Sequence, residues 1–357
     1  VLPPLLAGKG LWLAITLAVV AVRFGAAGAW LHAWGSLASW DAISYLDIAA
    51  AGYPAHLDYH DAFLPGFPLV IWAVALLVRD VVVASWLVTF AAEAVALWYV
   101  YRLVLAERDR QSATFATWLL ALAPTALFLT APFTEAPFIG AAAAALFYAR
   151  RGRPLAAAIA ATLACTIRLT GLALLPALVL EQLSRDRWRP RRTLVYVLLI
   201  PLPILLYCGY MGIRTGDPLA FFSAQASPSF GHQFTAPWDG FGTTWNTMVT
   251  AHDGEVRSIF AREVAFGLLG LVLCFGMWMS TRIPRSFALY ATIAWLMTAS
   301  LSFWRSEPRY ILALFPAVIL VCDVTARARR LRPVIAGMCA VLSAIGIAVF
   351  AEGRWLG

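Results

Sequence analysis

The chain has too little polar sequence to dissolve: 13% of its 357 residues are charged, against 62% hydrophobic. A soluble protein of this length needs a polar shell around its core, and that shell is missing. Lysine is nearly missing too. Lys9 is the only one, so the formal charge of +8 is carried by arginine. The arginines stand in short clusters between apolar runs, which argues against nucleic acid as a partner. The five cysteines (Cys165, Cys208, Cys274, Cys322 and Cys339) all fall inside apolar runs with no CxxC spacing. Neither a disulfide framework nor a zinc site is indicated. No low-complexity segment, soluble domain or short-period repeat interrupts the chain. A cleavable leader is not expected either, because the first apolar run, 11–30, follows Lys9 and is long enough to span.

What the chain does have is a succession of apolar runs of about twenty residues, the length that crosses a bilayer's hydrocarbon core. The expected fold class is an all-α polytopic membrane protein. Arginine clusters within 102–110, 150–153, 185–192, 282–285 and 327–332 mark cytoplasmic ends by the positive-inside rule, as does Lys9. Runs 11–30, 112–131, 193–213, 286–304 and 333–350 then lead outward; 81–100, 136–149, 264–280 and 310–324 lead inward. Run 64–78 is short and holds Pro65, Gly66 and Pro68, so it is expected as an interfacial helix on the outer side. Run 154–180 must leave and return within 27 residues. It is expected as two short helices meeting at a break near Arg168 and Gly171, with Arg168 facing protein or a wet cavity. About eleven membrane helices result, with external loops 31–80 and 214–263.

This topology sends all five histidines (His32, His56, His60, His232 and His252) to the outer face, together with Asp41, Asp47, Asp58, Asp61, Glu135 and Glu307. The chemistry is expected there. In "SWDAISYLDIAAAGY", 39–53, a helical reading puts Ile43, Leu46 and Ala50 on one apolar face and Asp41, Ser44 and Tyr45 away from it. Such a helix lies on the membrane surface and presents Asp41 above it; the bland alternative is that Asp41, like Ser39, merely caps the helix. "DAFLPGFPL", 61–69, is a stiff turn whose Phe63 and Phe67 are expected as interfacial anchors. "LTAPFTEAPF", 129–138, sets Glu135 between two apolar runs, where a carboxylate is costly unless paired or functional, the bland alternative being a helix cap; Arg168 is expected to be functional or to pair with Glu135. "SFWRSEPRYILALFP", 302–316, gathers Arg305, Glu307 and Arg309 outside, against the positive-inside trend. Arginine's planar fork suits phosphate oxygens. The alternative is internal pairing, Arg309 with Glu307 or Arg305 with Glu135. "HLDYHD", 56–61, has metal-like composition without Cys or HExxH support, so no metal site is assigned and a divalent cation is the lesser option.

Four stretches, "WDAISYLDIAAAGY", "AFLPGFPL", "PTALFLTAPFTEAPF" and "IRLTGL", resemble the PIG-V family of mannosyltransferases in order and separation, over 40–175. Beyond residue 180 only "GDPLAFFSAQ" and "PRYILALFP" are similar to bacterial members. Thr134 replaces the family's serine before the glutamate, Leu169 and Thr170 replace Ser-Asn after the arginine, and Ser44 and Tyr45 stand where eukaryotic members have His-Phe.

The resemblance implies a GT-C-type helix bundle, a single integral membrane domain with a catalytic core over 1–192 and C-terminal membrane helices over 193–357. It implies inverting transfer of mannose from a polyprenyl-phosphate donor to a lipid-linked or glycolipid acceptor, at the external face of a bacterial plasma membrane. A polyprenyl phosphate is already a good leaving group, so one displacement needs a base for the acceptor's proton and a cation for the departing phosphate. Asp41 is the expected base. Arg309 is first choice for the phosphate, with Arg168 and Arg305 behind it, and Trp40, His60, Glu135, Glu307 and Tyr310 are expected against sugar or acceptor. No cofactor and no protein partner are expected. The alternatives are another polyprenyl-phosphate sugar, or a glycolipid transporter, which the absence of repeat symmetry between the halves disfavours.

Overall fold

A computed structural model describes residues 1–25 and 39–356; His32 and the end of run 11–30 lie outside the described residues. Its regular elements are helices, the one β feature among the described residues being an isolated bridge between Phe234 and Leu301. In a bilayer this is forced, because helices satisfy their own backbone groups where no water can. Among the described residues, five segments are long and apolar enough to cross: Leu2–Arg23, Val81–Glu107, Arg192–Thr215, Gly254–Met279 and Arg329–Ala351. Their outer faces carry exposed Ile213, Phe275 and Val341, an apolar surface suited to lipid.

Shorter helices fill the space between. Glu135–Arg150 is buried along most of its length, through Ala136, Phe138, Ile139, Ala142, Ala143 and Ala145 among others. Its alanines let Val81–Glu107 and Pro154–Ile167 close against it, since small side chains bring backbones near. At one end of this helix Arg150 bridges Glu107 (2.7 Å) and Glu181 (2.9 Å), and Ser286 donates to Glu181. Arg108 pairs with Asp323 and Arg329 with Asp109 at the same end. The arginine clusters do share one end of the bundle. Glu135 stands at the other end, 15 positions and so about 22 Å away.

The chain breaks at Arg168 as expected. Helix Pro154–Ile167 stops, Arg168 is extended (φ −143°, ψ 140°), and a 3-10 turn Leu169–Ala173 leads into Leu174–Arg185. Gly171 is needed there, since a Cβ would stand 2.8 Å from the Cys165 backbone nitrogen. Other expected spans are less regular than their composition implies. Run 112–131 is not one helix: Arg110–Ala121 ends, Pro124 follows, and irregular chain around the short helix Leu127–Thr130 reaches Glu135. That segment is buried in protein, which is what makes irregular backbone tolerable at this depth. Run 310–324 is likewise a 3-10 stretch, Ile311–Ala317, kinked at Leu314, before helix Val318–Val324. Gly66–Val78 has 13 residues, about 20 Å, too short for a 30 Å core.

Lys9 is not a marker of the cytoplasmic boundary. The first helix begins at Leu2, and Lys9 lies within it, its ammonium 2.5 Å from the buried carboxylate of Glu93 in the middle of Val81–Glu107. Thr130 Oγ1 donates to the same carboxylate at 3.4 Å. Lys9→Met leaves Glu93 uncompensated, so it is expected to lower stability by about 3–5 kcal/mol, read as a fall in melting temperature in detergent. Lys9→Met with Glu93→Gln should recover most of the loss; a neutral single variant would show that the pair contributes nothing.

Candidate functional site

Asp41 is the first residue of helix Asp41–Ala51. It does not cap that helix: Trp40 holds the cap position, and its side chain makes no capping bond. Trp40 has φ 58° and ψ −131°, a conformation that costs a non-glycine residue about 1–3 kcal/mol and that sites tend to retain. The helix buries Ala42, Ser44, Tyr45, Ile48 and Ala49, and leaves Ile43 and Ala50 outside. The apolar face seen in the sequence is therefore the outward one, and Ser44 and Tyr45 turn into the protein. Tyr45 meets Phe63 and Phe67 edge-on at 5.0 and 5.3 Å, so these two rings are buried props of the helix, not interfacial anchors.

Residues 56–61 keep their polar groups for themselves. Asp58 and Asp61 cap the 3-10 turn Tyr59–Ala62 reciprocally, and His60 Nδ1 lies 2.5 Å from Asp58 Oδ1. Asp61, fully buried, pairs with Arg214, and Tyr207 donates to its carbonyl at 2.9 Å. His60 thus faces Asp58 and, at 3.6 Å, Asp47. Among the described residues no group of three or more His, Cys, Asp or Glu is disposed to hold a metal ion.

The charges converge on Arg309. Its Nη1 donates to Asp41 Oδ2 at 2.5 Å and its Nε to Glu135 Oε1 at 2.9 Å. Arg168 Nη1 reaches the same Glu135 oxygen at 2.7 Å. The Arg309 guanidinium lies over Phe133 (4.7 Å), Phe128 (5.2 Å) and Trp355 (5.9 Å), and that of Arg168 over Tyr310 (5.1 Å), aromatic faces that favour a cation. The internal pairs expected from the sequence are not the ones formed: Glu307 does not meet Arg309, and Glu135 does not meet Arg305. Glu307 instead enters a turn at Ser306 (φ 70°), where the amides of Ser306 and Glu307 donate to Glu263 at 3.0 and 2.8 Å.

A cavity of about 960 Å³ opens beside this cluster, and Trp40, Asp41, Arg168, Arg305, Arg309 and Tyr310 line it. Glu135 sits behind the two arginines, and His60 and Glu307 lie off the wall. Arg305 differs from the other two arginines. Among the described residues, no carboxylate pairs with it, so its charge is left to the cavity. A second, apolar cavity of about 710 Å³ adjoins the same helix, lined by Ile48, Tyr53, Leu69, Trp72 and Tyr207.

Two lining residues were not foreseen. His232, from the loop after helix Ala220–Gln225, is buried with Nδ1 3.2 Å from Gln225 Oε1. Burial pushes its imidazole down to about 4, the Arg305 charge acts the same way, and Asp41 opposes them, so His232 is neutral near pH 7. Trp355 follows the helix Arg332–Ala351 and lines the cavity beside Trp40. Nothing in the local pattern of either stretch marks it: both reach the cavity by tertiary folding alone.

Residues 16–322 match the family described as "Mannosyltransferase (PIG-V)". No curated protein matches the sequence. Among solved structures, the chain resembles ArnT from Cupriavidus metallidurans, solved bound to undecaprenyl phosphate, with 17% identity and a TM-score of 0.52, over 98% of this chain and 75% of that one. The Archaeoglobus fulgidus oligosaccharyltransferase in its apo form is matched with 12% identity and a TM-score of 0.46, over 98% of this chain and 56% of that one. The likeness to ArnT is one of fold, the arrangement of the membrane helices.

Glu135→Gln is expected to leave two adjacent guanidiniums with one carboxylate between them. Breaking a buried pair costs about 3–5 kcal/mol, so the variant should melt earlier in detergent and lose activity at least 100-fold. Unchanged melting and turnover would show that the bridge is dispensable.

Proposed function

The chain belongs to the PIG-V mannosyltransferase family, and from that premise we propose that it transfers mannose from a polyprenyl-phosphate donor to a hydroxyl of a lipid-linked or glycolipid acceptor, with inversion, Asp41 acting as base. The observation that carries this reading is one cavity wall holding a carboxylate and an uncommitted guanidinium, Asp41 and Arg305. The acceptor hydroxyl attacks the anomeric carbon, its proton passes to Asp41, and the bond from that carbon to the phosphate oxygen breaks. The negative charge gathering on the phosphate is met by a cation already in place.

Arg305 takes the phosphate in this scheme, ahead of Arg309. Arg309 and Arg168 are each neutralised by carboxylates and serve to fix Asp41 and the helix that starts at Glu135. Asp41 keeps its second oxygen, Oδ1, clear of Arg309, and its side chain is 27% exposed. The apolar cavity next to Trp72 suits the donor's isoprenoid tail. The arginine-rich end of the bundle faces the cytoplasm by the positive-inside rule, and the cavity then faces outside, in the plasma membrane of a bacterium.

Asp41→Asn should reduce transfer of mannose from polyprenyl-phosphate mannose by about 1,000-fold or more while the purified variant still binds donor. Normal turnover would remove Asp41 as base. Arg305→Ala should weaken donor binding about 10- to 100-fold, as loss of a charged hydrogen bond to phosphate does, whereas unchanged binding would return the phosphate to Arg309 or Arg168.

A further inference from the structure

The segment after helix Arg332–Ala351 folds back onto the site. Arg354 Nε pairs with Glu255 at 2.9 Å, Arg262 Nη2 donates to the Trp355 carbonyl at 3.0 Å, and Leu356 is buried against Gly346. Three contacts on three sides hold one indole at the cavity. That ring meets Trp40 at 5.0 Å and 60°, and it is the third aromatic face over the Arg309 guanidinium that holds Asp41. Its Nε1–H is buried and has no acceptor among the described residues. Buried indole N–H groups normally find a partner, so this one points to a ligand that supplies it.

We propose that Trp355 is a sugar-binding residue: its indole N–H donates to a hydroxyl of the donor mannose, and its ring closes, with Trp40, an aromatic corner beside Asp41. The inference rests on the transferase reading above and adds a substrate contact from a stretch outside the matched family region, 16–322. A sugar suits the place better than the phosphate does. The indole N–H is uncharged and stands beside the Asp41 carboxylate, which repels an anion, whereas a pyranose offers hydroxyls for the N–H and an apolar C–H face for the rings. The phosphate has its own cation in Arg305.

Trp355→Phe keeps an aromatic ring and removes the donor; Trp355→Leu removes both. The full chain, purified in detergent, is titrated with polyprenyl-phosphate mannose in the absence of acceptor, and transfer rates and melting temperatures are measured alongside. Trp355→Phe should bind the donor about 3- to 10-fold more weakly, the loss of one hydrogen bond, and raise the donor KM equally with kcat and melting temperature unchanged. Trp355→Leu should bind more weakly still. Donor binding equal to wild type in Trp355→Phe overturns the proposal, as does an increase confined to the acceptor KM. A wild-type chain that does not bind or transfer mannose overturns the functional reading first, and this one with it.

Discussion

Arg309 holds together what the sequence keeps far apart. It joins Asp41 to Glu135, partners 268 and 174 positions away in the chain, and Glu135 passes the link on to Arg168 at the break between two short helices. Two carboxylates and two guanidiniums cancel, so the cluster is internally neutral and can lie among Phe128, Phe133 and Tyr310 without a net buried charge. Arg305 is outside that balance. The cavity lining and the carboxylate behind it therefore carry one net positive charge, on Arg305, while Asp41 is held by Arg309.

The bundle builds this arrangement by giving up regular helix where the site lies. Chain 122–134, the break at Arg168 and the 3-10 stretch Ile311–Ala317 are three of the departures from regular helix around the site, in largely buried surroundings. Each delivers a charged side chain that a straight helix would have carried past: Glu135, Arg168 and Arg309. The long apolar helices around them supply the lipid-facing surface, and the ion pairs of Arg108, Arg150 and Arg329 fasten the far end.

Much of this was legible in the residues, for identifiable reasons. An acidic or basic group in an apolar run is so costly that its position alone singles it out, and that logic drew attention to Asp41, Glu135, Arg168, Arg305 and Arg309; it left both Arg168 and Arg305 as partners for Glu135, and the fold pairs it with Arg168. It could not choose among arginines, because which cation is compensated depends on contacts across the bundle: Arg309 took the two carboxylates and left Arg305 alone. Helical periodicity correctly set Ile43 apart from Tyr45 but not which face was buried, since lipid and protein interior are equally apolar. His60 and Glu307 look reactive by composition, yet one is taken by Asp58 and the other sits in the turn that Glu263 stabilises. His232 and Trp355 are invisible to local pattern because they act only through where the fold brings them.

The pairing of Lys9 with Glu93 bears on how the chain enters the membrane. The ammonium is made first, in helix Leu2–Phe24, and its counter-charge arrives only with helix Val81–Glu107. During synthesis the leading segment must therefore wait beside the translocon, or snorkel its lysine to the headgroups, until the later one emerges to neutralise it. By either route the pair ties the register of the first helix to that of the later one.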